Sequence, residues 1–297
     1  MTNMDRSPPA VNETFLNEVR RNVQDAIVED VGSGDINAAL VSEEQIGTAR
    51  LSTRTAGVFC GQLWAEETCN QIDASINTKW LVQDGQTVNP RADLLVATGP
   101  ARSLLTCERI MLNFIQLLSG TATAAHRYVE AISGTGAKIL DTRKTVPGLR
   151  LAQKYAVAAG GAGNHRMGLF DAYLIKENHI AAAGGIAESV ITARQHNPNI
   201  EIEIEVQTVP QLIEAINAAV DIALLDNFSM EDLDNAVRLN QGIIQLEASG
   251  GITHDNVLAI AQTGVDYISI GDITKNIESM DLSLRFEPTK STQGKKH

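Results

Sequence analysis

Two short stretches of the chain, LDTRKTVPGLR and AGNHRMGLFDAYLIKENH, concentrate basic side chains. Together they carry Arg143, Lys144, Arg150, His165, Arg166, Lys176 and His179. The formal net charge of the chain is −12, so these cations stand against an acidic background. Guanidinium groups bind carboxylates through paired hydrogen bonds, and clustered cations in a cleft attract small anions. Either these residues are ordinary surface charges, or they line a pocket for a strongly anionic ligand.

The composition limits the classes of protein to consider. A chain of 297 residues with 43% hydrophobic and 20% charged residues is typical of a globular protein with one large or two ordinary domains. A pI near 4.9 argues against a nucleic-acid partner, because phosphate backbones bind basic surfaces. No apolar run approaches the roughly 20 residues that span a bilayer, and the first residues lack a secretory pattern. We therefore expect a cytoplasmic protein without membrane contact.

The first half of the chain mixes helical and extended patterns. Residues 13–29 carry apolar side chains at helical spacing, and short alternating segments follow, with a tight turn at Asp84-Gly85. Residues 103–132 form a long apolar helical pattern, which we expect to break at Ser119-Gly120. This half is predicted to be an α/β sandwich. The predicted domains are 1–128, which includes the connecting helix, and 129–297, which includes a C-terminal tail.

From residue 137 onward, six short β-rich runs alternate with helical patterns. Regular alternation of this kind predicts a parallel sheet, and this many repeats favours closure into a barrel. The spacing is nearly constant, with 21 residues from Glu205 to Asp226, 21 from Asp226 to Glu247 and 22 from Glu247 to Ser269. Because a complete barrel has eight strands, the prediction is an incomplete α/β barrel of six to seven strands. An open doubly wound sheet is the alternative.

Each of these runs ends in polar residues or glycine. In α/β barrels the loops that follow the strands build the active site, so these residues are expected at one rim. They are, in chain order, Arg143, Lys144, Lys176, Glu177, Asn178, Glu205, Asp226, Asn227, Ser249, Gly250, Gly251, Gly271 and Asp272. Taken singly, each has an ordinary explanation: Asp226 fits a helix cap, and the ASGG glycines fit a flexible turn. Taken together, they indicate a site.

The motif EIEIEV has two interpretations. Alone, its alternation is typical of a half-exposed edge strand. Inside a barrel, the same alternation turns Glu201, Glu203 and Glu205 towards the interior, where charges persist only when paired. The available partners are Lys138, Lys144 and Lys176.

The candidate residues sort into two subsites. The basic subsite indicates a ligand with more than one carboxylate; its members are Arg143, His165, Arg166 and Lys176. The mixed subsite lies beside glycine turns, whose backbone N–H groups suit a phosphate, and its carboxylates suit hydrated Mg²⁺ and sugar hydroxyls. Its members are Lys144, Glu205 and Asp226. A polycarboxylate beside a phosphorylated sugar suggests transfer of a glycosyl group.

A family resemblance rests on the motifs ERIMLNFIQLLSGTAT, ILDTRKTVPGLR, GAGNHRMGLFDAYLIKENH, EIEIEV, LLDNF, EASGGI and ISIGDIT. In these motifs and in their order, the chain closely resembles the quinolinate phosphoribosyltransferases over essentially its whole length. The resemblance implies an N-terminal α/β sandwich and an incomplete α/β barrel. It also implies a homodimer in which the N-terminal part of one subunit covers the barrel mouth of the other. The implied reaction converts quinolinate and phosphoribosyl pyrophosphate to nicotinate mononucleotide, pyrophosphate and CO₂, with Mg²⁺, in NAD biosynthesis.

The resemblance also implies a role for each candidate residue. The quinolinate carboxylates would be held by Arg143, His165, Arg166 and Lys176, with Arg109 contributed by the other subunit. The catalytic residues, which would also address the ribose and the pyrophosphate, are Lys144, Glu205 and Asp226. The 5′-phosphate would be held by Ser249, Gly250 and Gly271. Mg²⁺ would be held by Glu205 and Asp226, either directly or through water.

Two stretches depart from the family pattern, and two alternative functions remain. Asn37 stands in GDIN where the family has GD-x-T, and Asn89-Pro90-Arg91 replaces a turn that contains glycine in many relatives. Both affect loop shape more than chemistry. One alternative is a relative that uses another acceptor such as nicotinate, although a single carboxylate does not need so many cations. The other is a non-catalytic sensor of phosphorylated sugars.

Overall fold

The computed structural model describes residues 9–288 of the chain. These residues form two compact units. The sheet unit contains Pro9–Thr123, Leu151–Ala159 and residues 277–288, and the barrel unit contains Ala124–Arg150 and Gly160–Asn276. The predicted division into two domains stays a prediction, since the units are groupings in space that interleave along the chain. None of the helices within residues 9–288 combines the length and the apolar character needed to span a bilayer.

The sheet unit is built on a four-stranded antiparallel sheet. Its strands are β1 (Ile46–Thr53), β3 (Asn77–Trp80), β5 (Asp93–Pro100) and β12 (Leu282–Pro288), in the spatial order β12-β1-β5-β3. Buried and less buried side chains alternate along β1, as expected where one face of a sheet packs against a core. The strand β12 pairs with β1, with Leu284 opposite Leu51, so the predicted C-terminal tail supplies a strand. Two short strands, β2 (Gly57–Val58) and β4 (Thr87–Val88), form a separate ladder.

Helices cover this sheet with aromatic and aliphatic side chains. They are α1 (Glu13–Asp30), a 3₁₀ helix (Ile36–Leu40), α2 (Gln62–Ile72), α3 (Ala101–Ala131) and most of α4 (Arg150–Ala159). The side chain of Asn12 accepts the N–H of Phe15 at 3.0 Å and thereby caps the start of α1. The ring of Phe15 lies 5.8 Å from that of Trp64 and 5.4 Å from that of Tyr155, which joins three helices in one core.

The helix α3 runs without interruption through Ser119-Gly120, so the predicted break at this position is wrong. Gly120 serves packing instead. A Cβ atom at Gly120 would lie 2.5 Å from the carbonyl oxygen of Glu278, so only glycine lets the segment before β12 approach the helix this closely.

Both stretches that depart from the family pattern lie in the sheet unit. Asn37 is the second residue of the 3₁₀ helix, and its N–H donates to the Asp35 carboxylate at 2.9 Å. Arg91 has a φ of 72°, in the left-handed region that favours glycine. Its N–H donates to the carbonyl of Thr53 at 2.7 Å, which fixes this turn before β5.

The barrel unit contains six parallel strands, and all six predicted runs are confirmed. They are β6 (Lys138–Leu140), β7 (Tyr173–Ile175), β8 (Ile202–Val206), β9 (Ile222–Asp226), β10 (Gln245–Ser249) and β11 (Tyr267–Ser269). Their spatial order is β6-β11-β10-β9-β8-β7, so the strands follow chain order and the first then joins the last. This order is that of an incomplete α/β barrel and excludes the doubly wound alternative.

The barrel is open between β6 and β7. Gly163 partly fills this opening, because its N–H donates to Ile139 O at 2.8 Å and its carbonyl accepts from Asp141 N at 3.2 Å. A single bridged residue in place of a full strand agrees with the prediction of six to seven strands. The loop that carries Gly163 leads directly into His165 and Arg166, so the bridge places these two residues at the opening.

Short helices follow the barrel strands. They are α5 (Glu177–Ala183), α6 (Ile186–His196), α7 (Val209–Asn217), α8 (Met230–Asn240), α9 (Val257–Gln262) and α10 (Asp272–Lys275). Thr208 and Ser229 cap the starts of α7 and α8 by accepting backbone N–H groups at 3.4 and 3.1 Å. The strand β8 is buried on both faces, with Ile202 and Ile204 on one and Glu203 on the other.

Candidate active site

A cavity of about 210 Å³ lies at the carboxyl ends of the barrel strands. Most of the residues predicted from the sequence line it: Arg143, Lys144, His165, Arg166, Lys176, Glu205, Asp226 and Ser249. The remaining lining residues are Thr142, Leu174, Leu224, Glu247 and Ser269. The side chains therefore come from all six strands or from the loops that follow them, as barrel topology requires.

Three of the residues assigned a binding role do not line this cavity, and neither do the rim residues Glu177, Asn178, Asn227, Gly251 and Asp272. Gly271 lies beside it, because a Cβ atom there would be 2.9 Å from Cδ of Lys144. Gly250 has a φ of +94°, and a Cβ atom there would lie 2.1 Å from the side chain of Asn227, so this position requires glycine. Arg109 lies on α3 within the sheet unit, and its side chain is exposed. Within residues 9–288, it has no ion pair of its own.

The basic side of the cavity carries two guanidinium groups without carboxylate partners among the residues that the structure describes. The Nε atoms of Arg143 and Arg166 are buried and have no hydrogen-bond partner within residues 9–288. Arg166 is only 8% exposed, and one of its terminal nitrogens donates to the carbonyl of Ala172 at 3.2 Å. Burial lowers the pKa of Arg166, and the charge of Arg143 lowers it further. Two adjacent cations, one buried and one half-buried, that form no ion pair among the described residues indicate a site that an anionic ligand completes.

Carboxylates outside the predicted site hold the geometry of this loop. The Asp141 carboxylate is fully buried and accepts the N–H of His165 and the side-chain amide of Asn164, both at 2.8 Å. The Asp171 carboxylate accepts the N–H groups of Met167 and Gly168 at 2.5 and 3.1 Å. These contacts hold the residues on either side of Arg166.

Arg150 ties the two basic stretches together. Its guanidinium donates to the Thr145 hydroxyl at 3.1 Å, to Met167 O at 3.2 Å and to Arg143 O at 3.5 Å. The sequence drew attention to this arginine as one more cation. In the structure its guanidinium instead links the loop after β6 to the loop before β7 through hydrogen bonds.

Lys176 and Glu205 form an ion pair across the cavity mouth. One of the lysine partners proposed for the EIEIEV carboxylates is therefore confirmed for Glu205. Glu203 has a different partner, since its Oε2 lies 3.0 Å from Nε2 of His165 and it forms no ion pair with a lysine among the described residues. The side chain of Lys138 lies at the opposite end of β6 and is exposed.

The mixed side of the cavity offers oxygen atoms. Asp226 ends β9 and forms no ion pair or hydrogen bond through its side chain within the described part of the chain. Ser249 and Ser269 end the adjacent strands β10 and β11, and their hydroxyl oxygens lie 3.1 Å apart. The N–H of Lys144 donates to the Thr142 hydroxyl at 3.1 Å, which holds the loop after β6 at this rim.

His165 and Glu247 line the cavity, and Glu203 lies beside the His165 ring. Glu203 and Glu247 have no exposed surface, and the side chain of His165 is 6% exposed. Nε2 of His165 lies 3.0 Å from Oε2 of Glu203 and 3.5 Å from Oε1 of Glu247. Nδ1 of the same ring accepts the N–H of Arg166 at 2.7 Å. Both ring nitrogens thus face protein groups.

Comparison with known proteins identifies the family. The models of the quinolinate phosphoribosyl transferase N-terminal and C-terminal domains match residues 35–119 and 121–285. The chain belongs to the quinolinate phosphoribosyltransferase family. A relative from Bacillus subtilis (strain 168), described as a probable nicotinate-nucleotide pyrophosphorylase [carboxylating], is 41% identical over 260 residues, which cover 86% of this chain and 89% of the relative.

Two further members of the quinolinate phosphoribosyltransferase family match almost end to end. The nicotinate-nucleotide pyrophosphorylase [carboxylating] of Mycobacterium leprae (strain TN) is 37% identical over 281 residues, which cover 92% of this chain and 99% of that protein. The solved structure of the nicotinate-nucleotide pyrophosphorylase from Francisella tularensis is 48% identical and superimposes with a TM-score of 0.91. That comparison covers 97% of this chain and 100% of the other.

Sequence reasoning missed several residues of this quinolinate phosphoribosyltransferase site. Glu247 and Ser269 served only to measure the strand spacing, although each lies at the same rim as the predicted residues. A signal was present, because the alternation that turns Ser249 into the cavity also turns Glu247 into it. Leu174 and Leu224 gave no such signal, since an apolar residue in a strand is ordinary core.

Proposed function

We propose that the chain is a quinolinate phosphoribosyltransferase that serves NAD biosynthesis. It would convert quinolinate and phosphoribosyl pyrophosphate to nicotinate mononucleotide, pyrophosphate and CO₂. Membership of the family and the activities for which its relatives are named support this assignment. The observation that carries it is the pair of adjacent arginines, Arg143 and Arg166, whose buried Nε atoms have no partner within residues 9–288.

A dicarboxylate fits the basic side of the cavity. Arg143 and Arg166 repel each other, and each can bind one carboxylate through its planar fork. Lys176 supplies a third cation at the mouth, and Arg109 of the other subunit is proposed as a fourth. Nicotinate, with one carboxylate, would leave at least one of these buried charges without an anion, which costs free energy. Quinolinate is therefore preferred over a monocarboxylate acceptor.

The phosphoribosyl pyrophosphate would bind on the mixed side. Lys144 would bind its anionic phosphates, and the ribose would lie near Glu205 and Asp226. Ser249, Gly250 and Gly271 would hold the 5′-phosphate, because hydroxyl and backbone N–H groups at glycine turns donate to phosphate oxygens. The close approach of Gly250 to Asn227 and of Gly271 to Lys144 supports this role, since each glycine allows a crowded backbone next to the cavity.

The oxygen-rich donor set fits Mg²⁺. Asp226 has no side-chain partner within residues 9–288, whereas Glu205 is engaged by Lys176, so Asp226 would hold the ion and Glu205 would join it directly or through water. When bound, Mg²⁺ would neutralise charge on the departing pyrophosphate.

The protein's part in the reaction is chiefly positioning. The pyridine nitrogen of quinolinate is already a nucleophile, so no protein base need deprotonate it. Arg143 and Arg166 would align this nitrogen with the anomeric carbon of the ribose, and Glu205 would stabilise the positive charge that develops there. The new nitrogen–carbon bond forms as the bond to pyrophosphate breaks. The resulting cationic ring then accepts the electron pair released when the adjacent carboxylate leaves as CO₂, and that ring carbon takes up one proton.

Arg109 and the cellular location complete the proposal. We place Arg109 in the quinolinate subsite of the other subunit of a homodimer, and we place the enzyme in the cytoplasm. The exposure of Arg109 and its lack of an ion pair within residues 9–288 support a role outside its own surface. An acidic chain without a bilayer-spanning helix among the described residues agrees with the proposed location.

The test is release of pyrophosphate by purified protein with phosphoribosyl pyrophosphate, Mg²⁺ and one acceptor at a time. Quinolinate should give equal amounts of pyrophosphate and CO₂, whereas nicotinate and nicotinamide should give neither above background. Lys144→Ala, prepared in the same way, is the control for contaminating activity. Faster release with nicotinate would establish the alternative acceptor, and no release with any acceptor would favour the sensor.

A further inference from the structure

His165 connects Glu203 and Glu247 to Arg166. Its Nδ1 accepts the N–H of Arg166 at 2.7 Å, and its Nε2 lies within ion-pair distance of both Glu203 and Glu247. Oε2 of Glu203 is the nearer carboxylate oxygen, at 3.0 Å from Nε2, and Oε1 of Glu247 lies at 3.5 Å. The ring therefore lies between two carboxylates on one side and the backbone of its neighbour on the other.

The proton on this ring can be placed from these contacts. A nitrogen that accepts a hydrogen bond carries no proton, so Nδ1 is the unprotonated atom. The remaining nitrogen, Nε2, then carries the proton and directs it towards the carboxylates. Two buried carboxylates attract this proton and hold it on Nε2, which keeps Nδ1 free to accept.

Arg166 depends on this arrangement at both ends. Its backbone N–H is held by His165, and its guanidinium is held by the carbonyl of Ala172 at 3.2 Å. The charge of Glu203 also acts on Arg166 and raises its pKa against the opposing effects of burial and Arg143. Glu203 thus acts on Arg166 in two ways. It contacts the imidazole that holds the Arg166 backbone, and its charge acts directly on the guanidinium.

We propose that Glu203, Glu247 and His165 form a positioning relay for Arg166, and that His165 fixes this arginine instead of binding the substrate carboxylate itself. The two carboxylates select the Nε2–H tautomer, the tautomer lets Nδ1 hold the Arg166 backbone, and the fixed backbone aims the guanidinium into the cavity. The expected kinetic effects rest on quinolinate being the substrate, as proposed above, whereas the expected tautomer of His165 does not.

The tautomer can be measured directly on the wild-type enzyme. In protein labelled with ¹⁵N-histidine, the ring signals of His165 should show a protonated Nε2 and an unprotonated Nδ1. The chain has six histidines, so the signal is assigned by its loss in His165→Gln. The same protonation pattern should persist after quinolinate is added. A protonated Nδ1, or an Nε2 that has lost its proton to a bound metal ion, would overturn the relay.

A double-mutant cycle tests the effect on Arg166. Glu203→Leu removes the carboxylate, and we expect the KM for quinolinate to rise about tenfold, because a misaimed guanidinium loses charge-assisted contacts. The kcat and the KM for phosphoribosyl pyrophosphate should change less than about twofold. Glu203→Gln is the matched control, since its amide oxygen still presents partial negative charge to Nε2–H, and it should stay close to wild type.

The decisive combination is Glu203→Leu with Arg166→Ala. If Glu203 acts through Arg166, the double variant should match Arg166→Ala alone in its KM for quinolinate. Effects that multiply would show that Glu203 acts independently and would overturn the proposal. If Glu203→Leu does not fold, the tautomer measurement still decides. If wild-type protein neither binds nor converts quinolinate, the proposed function fails, while the ring signals still report on the relay.

Discussion

Lys176 at the end of β7 and Glu205 in β8 form an ion pair between neighbouring strands, with Nζ of the lysine in contact with Oε2 of the glutamate. The pair joins the two sides of the cavity, because Lys176 is assigned to quinolinate and Glu205 to the ribose. A substrate carboxylate must therefore share Lys176 with Glu205. Any change at Glu205 is expected to affect both subsites.

The first prediction concerns this shared lysine. Glu205→Gln should lower turnover, because the charge that stabilises the developing cation is lost. The same change should leave quinolinate affinity unchanged or raise it a few-fold, because Lys176 no longer faces a competing carboxylate. Calorimetry with quinolinate and steady-state kinetics measure the two effects. Asp226→Asn is the control, since Asp226 does not engage Lys176. Weaker quinolinate binding by Glu205→Gln would contradict the assignment of Glu205 to the ribose side.

The second prediction concerns sharing of the active site between subunits. Arg109→Ala and Lys144→Ala should each be nearly inactive alone. In an equal mixture after subunit exchange, half of the dimers are mixed, and each has one site with both changes and one with neither. Activity should then recover to roughly a quarter of wild type, the random-assortment value for a site that spans a twofold interface. Mass spectrometry verifies the exchange. Mixed dimers without activity would show that Arg109 does not act in the other subunit.

The third prediction concerns stability in the sheet unit. Arg91 has a φ of 72°, and a non-glycine residue there is strained by about 1–2 kcal/mol. Glycine removes the strain but adds freedom to the unfolded chain, so Arg91→Gly should raise the free energy of unfolding by about 0.5–1 kcal/mol. Urea unfolding measures the change, and Arg91→Ala, which keeps the strain, should show no increase. A decrease with Arg91→Gly would mean that the arginine side chain itself stabilises the turn.

The fourth prediction concerns pH and Asp84. Burial raises the pKa of the Asp84 carboxyl above its usual 3.8, against the lowering effects of hydrogen bonds from Gln62 N, the Tyr155 hydroxyl and Gly61 N. Between 3.8 and the raised pKa, the folded state holds more protons than the unfolded state. The free energy of unfolding contributed by this group therefore falls as pH rises through that window.

Asp84→Asn should remove this dependence. The difference in unfolding free energy, Asn variant minus wild type, should grow as pH rises through the window and level off above it. Urea midpoints of both proteins at a series of pH values give this difference directly. A difference that shrinks with rising pH would mean that the hydrogen bonds outweigh burial and that the pKa of Asp84 is lowered.

Local sequence patterns predicted most of the barrel and much of its rim. Each strand of the barrel unit is a short apolar run, and polar residues such as Asp226 and Ser249 follow at its end. The period of the pattern and the position of the polar residues were therefore enough to predict the strands and their rim. The same alternation turned Glu203 towards the interior. The alternation did not identify the partner of Glu203. That partner is His165, which lies on a loop at the opening between β6 and β7. Where such a loop lies depends on the bridge between Gly163 and Leu140, a contact without a local signature.

Long-range contacts explain the other differences. Glycine commonly interrupts helices, so the sequence predicted a break at Gly120. This glycine instead lies within α3, where Glu278 from a distant part of the chain packs against it. The strand β12 was predicted only as a tail, since a single short run does not reveal that its partner is β1. Arg91 occupies a left-handed turn position, and the comparison with the family pattern pointed to that turn before the backbone angle was known.

The central claim is that Arg143 and Arg166 form a dicarboxylate site separate from the sugar-phosphate site. Calorimetry of wild type and Arg166→Ala with quinolinate, and separately with phosphoribosyl pyrophosphate, tests it most directly. Loss of one charge-assisted bidentate contact should weaken quinolinate binding by about 1.5–3 kcal/mol. Binding of phosphoribosyl pyrophosphate should change by less than about 0.5 kcal/mol, the range of substitutions away from a site. Equal weakening of both ligands, or unchanged quinolinate binding, would contradict the account.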